Sequence, residues 1–351
     1  MAVAERVNER VARLRETLEE PLLVTSGTNL RYLTGFESSN AALLVDEERL
    51  LLFTDFRYAE AARALEGVEL VQSQRSLLKT VAETLDGRVG FEAPALTYQG
   101  WQALDGAGLE LVPRAGLVER LRAVKEEHEL AAIREAVGIT DAVYAAFAEE
   151  RFVGRTERDL AWRMEQLFHE HGAHAVAFEI IVGSGPTGAL PHGRPTDRIV
   201  EANTTVVVDA GCVVDGYNSD STRTFATGDL PDDLREAYEV CHRAQLAGLE
   251  AMRAGVAGAD ADGAARSVIE KAGLGERFGH GLGHGVGLLV HEAPTARPES
   301  EDVLVPGNVV TCEPGVYLPA RGGVRIEDIV VVTEGDPEVL GSYTKELVTV
   351  Q

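Results

Sequence analysis

Cysteine is scarce in this 351-residue chain: Cys212, Cys241 and Cys312 are an odd number without CxxC spacing, which argues against a disulfide framework and a thiolate zinc site. No run of about 18 apolar residues occurs, so no membrane-spanning helix is expected. The opening MAVAERVNERVARLRETLEE is charged throughout and has no apolar core, so no signal peptide is expected either, and a cytoplasmic location follows. Bases are outnumbered, 33 against 57 acids, and the net charge of −24 repels nucleic-acid backbones and anionic membranes. Only four of the bases are lysine (Lys79, Lys125, Lys271, Lys345). There is no HExxH, which excludes a zincin, and no GxSxG elbow, which leaves a serine nucleophile unsupported. What is present is an ordinary 45% hydrophobic content, enough for a full core and about two domains.

Residues 1–118 alternate short apolar runs (22–24, 41–45, 50–53, 68–71, 89–91 and 109–112) with helical spacings at 57–65, 77–85 and 98–104, the pattern of an α/β layer domain. No histidine precedes His128. From Leu117 to about Phe152 the apolar residues recur at three- and four-residue steps, which predicts two successive helices broken near Gly138 or Gly154. A capping box, Thr156-Glu-Arg-Asp159, opens a further helix, whose Trp162, Leu167 and Phe168 read as core. Beyond Gly172 strands are expected at 178–182, 204–209, 222–225, 309–312 and 329–332, with helices at 234–252 and 259–272. The division predicted is an accessory domain over 1–118 and a catalytic domain over 119–351.

One motif misleads. Gly183-Ser-Gly185-Pro-Thr-Gly188 matches a dinucleotide fingerprint, with Asp209 at a suitable distance. That fingerprint needs a following helix to face the pyrophosphate, and Pro191 and Pro195 forbid one. Two hairpins carry more. In VVVDAGCVVDGYNSDSTRTF, a turn centred between Val214 and Asp215 would set Asp209 opposite Asp220. In TCEPGVYLPARGGVRIED, a turn centred on Ala320 brings Glu313 opposite Glu327. Facing carboxylates repel, and when buried they require a shared proton or a cation; at a sheet edge they are merely solvated. Between the hairpins lies GHGLGHGVGLLVHEAP, with His280, His284 and His291 and five alternating glycines, Gly279 to Gly287, that permit close backbone approach. Two carboxylate pairs and an imidazole suit Mn²⁺, Co²⁺, Fe²⁺ or Zn²⁺, and four carboxylates balance two divalent ions. His169, His171 and His174 cluster at a helix end and read as a polar last turn facing the helix dipole.

At these residues the sequence resembles the pita-bread-fold metallopeptidases and, among them, the Xaa-Pro peptidases (aminopeptidase P and prolidase). The resemblance spans nearly the whole chain: NLRYLTGFESSNAALLVD is similar to the creatinase-like accessory domain, and VERLRAVKEEHELAAIREA to the linker helix. It implies an α/β N-terminal domain and an α+β catalytic domain with a pseudo-symmetric antiparallel sheet. The metal ligands it implies are Asp209, Asp220, His284, Glu313 and Glu327, with two divalent ions, Mn²⁺ first among the candidates. Further implied are His192 (in ALPHGRP) and His291 around the scissile carbonyl, Glu313 as proton shuttle, and His280, Tyr317 and Arg325 in the substrate pocket.

One position departs from the family. Prolidases carry an arginine four residues after the second pocket histidine to hold a dipeptide's carboxylate; here that residue is Thr295, with Arg297 two further on. The function expected is removal of an N-terminal residue preceding proline, by a homodimer, with strict dipeptidase action as the alternative. A metal-free creatinase-like hydrolase and a non-enzymatic binding protein are remoter alternatives, because all five ligand positions are intact.

Overall fold

The computed structural model describes residues 3–74 and 76–351. Contacts divide the chain into two units, Met1–Arg122 and Ala123–Gln351.

The N-terminal unit contains six strands, Leu22–Val24 (β1), Ala41–Val45 (β2), Leu50–Asp55 (β3), Glu69–Ser73 (β4), Arg88–Glu92 (β5) and Glu110–Arg114 (β6). They form one sheet in the order β4-β3-β2-β1-β5-β6. Only β2 runs antiparallel to its neighbours. All six residues of β3 are buried, as in a sheet covered on both faces. The helices are Val3–Arg15 (α1), Gly27–Thr34 (α2), Ala59–Arg63 (α3), Leu77–Thr84 (α4) and Tyr98–Asp105 (α5). Of these, α1 and α2 were not anticipated from periodicity. α2 is only eight residues long, set between a Ser26 cap and Gly35 at φ 71°.

The expected two-helix connector is present, but its break lies elsewhere. Leu117–Ala123 (α6) and Glu127–Ala148 (α7) are separated at residues 124–126. There Val124 bridges Asn308, and the Lys125 N–H donates to Gly307 O at 2.8 Å, so sheet pairing overrides helix propensity. Glu126 and Glu129 restart the helix with reciprocal capping bonds. Gly138 remains helical, with open space where a Cβ would project.

In the C-terminal unit two sheets are each backed by a helix pair. Ile181–Ser184 (β8), Thr205–Ala210 (β9) and Ser221–Ala226 (β12) form the first with the terminal Val348–Thr349 (β20); Ala175–Val176 (β7), Cys212–Val214 (β10) and Tyr217–Asn218 (β11) form a small adjunct. Apolar residues of α7 and Glu157–Glu170 (α8) cover them, including Tyr144, Phe147, Met164 and Phe168. The second sheet comprises Gly283–Gly285 (β13), Glu292–Ala296 (β14), Val309–Cys312 (β15), Asp328–Val331 (β18) and Glu338–Val339 (β19), with Gly315–Leu318 (β16) and Gly322–Arg325 (β17) as its extended hairpin. Asp232–Ala251 (α9) and Gly258–Lys271 (α10) cover that half around Ala244, Ala265 and Ile269. Two similarly built halves thus meet, the pseudo-symmetric arrangement expected. Trp162 is not core: it is 58% exposed on the outer face of α8. After β8 the chain makes only a short 3₁₀ turn, Gly185–Thr187, so the dinucleotide fingerprint has no helix behind it.

Candidate metal centre

The first hairpin turns one residue later than expected. Asp215 and Gly216, at φ 47° and 79°, form the left-handed pair that suits a two-residue hairpin. Val214 therefore pairs with Tyr217, and Asp209 faces Thr222 instead of Asp220. The register sets Asp220 across from Gly211, where a Cβ would come within 1.9 Å of Ser219 O. The two aspartates are diagonal neighbours on one face. The second hairpin matches expectation: Cys312 pairs with Asp328 and Gly315 with Arg325, which sets Glu313 across from Glu327. His284 is supplied by β13, whose glycines let neighbouring strands close in; a Cβ on Gly283 would lie 1.9 Å from Thr311 O.

These five side chains line one cavity of about 460 Å³. Asp220, His284 and Glu327 each place a donor atom within 4.8 Å of the others. His284 Nε2 lies 3.2 Å from Glu313 Oε1 and 3.8 Å from Asp220 Oδ2. The other ring nitrogen, Nδ1, faces Gly285 O at 3.2 Å. A carbonyl can only accept, so Nδ1 carries a hydrogen; Nε2 points at Glu313, to which it donates when protonated, and on giving up that proton it would offer its lone pair to a cation. Glu327 Oε2 accepts from Thr222 at 2.7 Å, but Glu327 Oε1 and Asp209 Oδ1 are buried without a hydrogen-bond partner. Burial, and then the charges of Glu327 and Asp209, push Asp220 well above the ordinary carboxylate range; burial, and then Glu313 and Asp209, do the same to Glu327. Burial also raises Glu313, but the hydrogen bond and charge of His284 outweigh it and bring its pKa to about 2. Orphaned oxygens, crowded acids and a single available imidazole nitrogen are a donor set that fits divalent cations.

The surrounding residues fall into two groups. His280, Tyr317 and Arg325 form a chain. Arg325 donates to Asp209 Oδ2 at 2.6 Å, to Pro191 O at 2.9 Å, to Thr222 Oγ1 at 2.9 Å and to Tyr317 Oη at 3.0 Å. His280 Nδ1 faces Gly281 O at 2.8 Å and must donate, so Nε2 accepts from Tyr317 Oη at 2.9 Å. Burial lowers the His280 pKa, which favours this neutral form. By contrast, His192 and His291 line the cavity with no hydrogen-bond partner among the described residues, and the His291 ring lies 4.2 Å from that of His284.

At the departing position Thr295 is already engaged: its hydroxyl donates to Asp302 Oδ2 at 3.0 Å and lies 2.9 Å from Ser300 Oγ. Arg297 lines the cavity and has no ion-pair partner among the described residues. Sequence reading missed Thr222 and Thr311, which donate to Glu327 and Glu313. Period-two spacing from Asp220 through Thr222 to Thr224 was the available signal for the first. It also missed the apolar wall of Phe178, Ile181 and Val290. The histidines at the α8 end make local bonds, His171 with Leu167 O and His174 with the Asp215 N–H. They join no metal-competent group among the described residues.

Residues 131–334 match the metallopeptidase family M24, and residues 10–124 match the creatinase/prolidase N-terminal domain. A Xaa-Pro dipeptidase of Pyrococcus horikoshii is 31% identical over 97% of this chain and 99% of its own length. Among solved structures, a Xaa-Pro dipeptidase from Bacillus anthracis superposes with TM-score 0.95 at 37% identity, covering 98% of this chain and all of that one. An X-Pro aminopeptidase from Thermotoga maritima does so with TM-score 0.88 at 30% identity, over 97% of this chain and 100% of that one. With both family models matched in order along the chain, this protein belongs to metallopeptidase family M24 and carries the creatinase/prolidase N-terminal domain.

Proposed function

We propose that this chain hydrolyses the peptide bond between an N-terminal residue and a following proline, using two divalent cations, Mn²⁺ foremost, held by Asp209, Asp220, His284, Glu313 and Glu327. The observation that carries the reading is the convergence of these five donors, with two orphaned carboxylate oxygens, in a cavity that also presents two histidines, His192 and His291, with no hydrogen-bond partner among the described residues. The proline preference is supported by the dipeptidase and aminopeptidase relatives, each covered nearly end to end. The imide nitrogen of proline has no hydrogen to donate, so a dedicated cleft is needed.

Bound cations would acidify a water and polarise the scissile carbonyl. Glu313 takes the proton of the attacking water and delivers it to the proline nitrogen as the C–N bond breaks. His192 and His291 steady the oxygen that gains charge and the leaving imide. Arg325, locked between Asp209, Thr222, Pro191 and Tyr317, holds the cavity wall, and His280 supports it through Tyr317. Three buried free cysteines fit a reducing cytoplasm, and assembly as a homodimer is part of the same proposal.

With no cationic clamp at Thr295, tripeptides should be cleaved at least comparably to dipeptides. A second reading, strict dipeptidase action, is favoured by Arg297, a cation lining the same cavity that has no ion-pair partner among the described residues. The test is turnover of Xaa-Pro, Xaa-Pro-Yaa and Xaa-Ala peptides with Mn²⁺ or Co²⁺. Metal-dependent cleavage confined to the proline peptides is expected; equal cleavage of Xaa-Ala, or full activity after chelation, would overturn the proposal.

A further inference from the structure

Glu157, the first residue of α8, is fully buried, yet it has no ion-pair partner among the described residues. Its two oxygens are divided between the ends of one loop. Oε1 accepts from Ser184 N and Ser184 Oγ, both at 2.8 Å. Oε2 accepts from Thr196 N at 3.1 Å and Thr196 Oγ1 at 2.6 Å. Between these ends lies the segment 185–195, which carries His192.

Capping does not account for this carboxylate. Thr156 and Asp159 already satisfy the helix start reciprocally, Thr156 Oγ1 accepting from Asp159 N at 3.0 Å and Asp159 Oδ2 from Thr156 N at 3.4 Å. Nor is stability a natural reason, because a buried charge lacking a basic partner is costly to desolvate and is tolerated only when fully hydrogen-bonded. The helix N-terminus and four donors meet that condition. What they secure is the loop. Its middle is held once more from the cavity side, where Arg325 donates to Pro191 O, the residue before His192. A ring with no hydrogen-bond partner of its own depends on its backbone for position.

We propose that Glu157 is a positioning residue for His192: by tying Ser184 to Thr196 it fixes the loop that aims this imidazole into the metal cavity. The inference rests on the reading that His192 serves the reaction. An amide in place of the carboxylate can no longer accept on one side, which leaves that end of the loop to its backbone bonds alone, the pairing of Ser184 with Val206 or the Arg158 N–H to Thr196 O bond at 3.1 Å.

A double-mutant cycle tests it with Mn²⁺-loaded protein on an Xaa-Pro-Yaa substrate. Glu157→Gln should lower kcat about tenfold or more, the scale of an ångström-level misplacement, with metal content unchanged. In the His192→Ala background the same change should cost less than about twofold, because its effect passes through the missing ring. Equal losses in both backgrounds would show a general structural role and overturn the proposal, as would wild-type kcat in Glu157→Gln. Full activity in His192→Ala alone would instead sink the assignment of His192. If Glu157→Gln does not fold, Thr196→Val, which removes one hydroxyl donor, takes its place in the cycle with a smaller expected loss and the same criterion.

Discussion

Glu92 in the N-terminal unit and Glu327 in the C-terminal unit are both nearly inaccessible, at 6% and 1% exposure. In both, burial raises the pKa. Their surroundings differ. Glu92 meets a full set of donors: Thr25 N and Ser26 N at 2.7 Å each and Asn29 Nδ2 at 2.5 Å. Glu327 meets one hydroxyl, keeps one oxygen orphaned, and is crowded by Glu313 and Asp209. The first carboxylate is satisfied by the fold itself. The second is left in need of a cation, and the difference lies in donor count instead of depth. The same distinction separates Glu157 from Asp209, whose Oδ1 is also orphaned.

The comparison breaks most visibly at the acids of the cavity. Asp220→Ala should abolish turnover and most bound metal together, because the remaining buried acids then face one another without their shared cation. Elemental analysis and kcat check it, and retention of wild-type metal and turnover would remove the five-residue assignment. His192→Ala should keep its metal and lose about 10²–10³-fold in kcat, as expected for one donor to a developing oxyanion. Metal loss in that variant would move His192 among the ligands.

The N-terminal glutamate should behave in the opposite sense. Glu92→Ala strands two backbone N–H groups and should cost about 3 kcal/mol of stability in denaturant titration, with metal content and kcat/KM unchanged. A change in metal content would erase the distinction drawn here. The smallest effect is expected at Arg297: Arg297→Ala should alter kcat/KM for dipeptides by less than about tenfold and leave tripeptides alone. A wild type confined to dipeptides, with that preference abolished in the variant, would establish Arg297 as the carboxylate clamp.

Much of this is legible in the sequence, and what is not has physical causes. β1, β2 and β15 fall on the residues expected, because each is a short apolar run cut off by polar or turn residues. The second hairpin was placed in register because its Pro/Gly-rich turn is symmetric about Ala320, which adopts φ 62°. The first was misplaced by one residue, since the rule that both central residues take positive φ picks Asp215-Gly216 over Val214-Asp215. Trp162 was misassigned because helical spacing identifies a face without saying whether anything covers its margin. Glu157 and Thr222 act on partners 27 and 105 residues away, so spacing can place Thr222 on the cavity face but names no partner for either, whereas Thr311 bonds Glu313 only two residues on and was overlooked beside it.

The Asp215-Gly216 turn bears on which length changes this protein tolerates. Alternate residues of a strand point to opposite faces, so one residue inserted between Asp209 and Asp220 would turn one of the aspartates away from the cavity while leaving every side chain of the sequence in place. Spacing there is as constrained as identity. The surface segment 333–337, which lies after β18, has no such parity to keep. Gains and losses of single residues among natural variants should therefore collect in segments of that kind and be absent from 209–220.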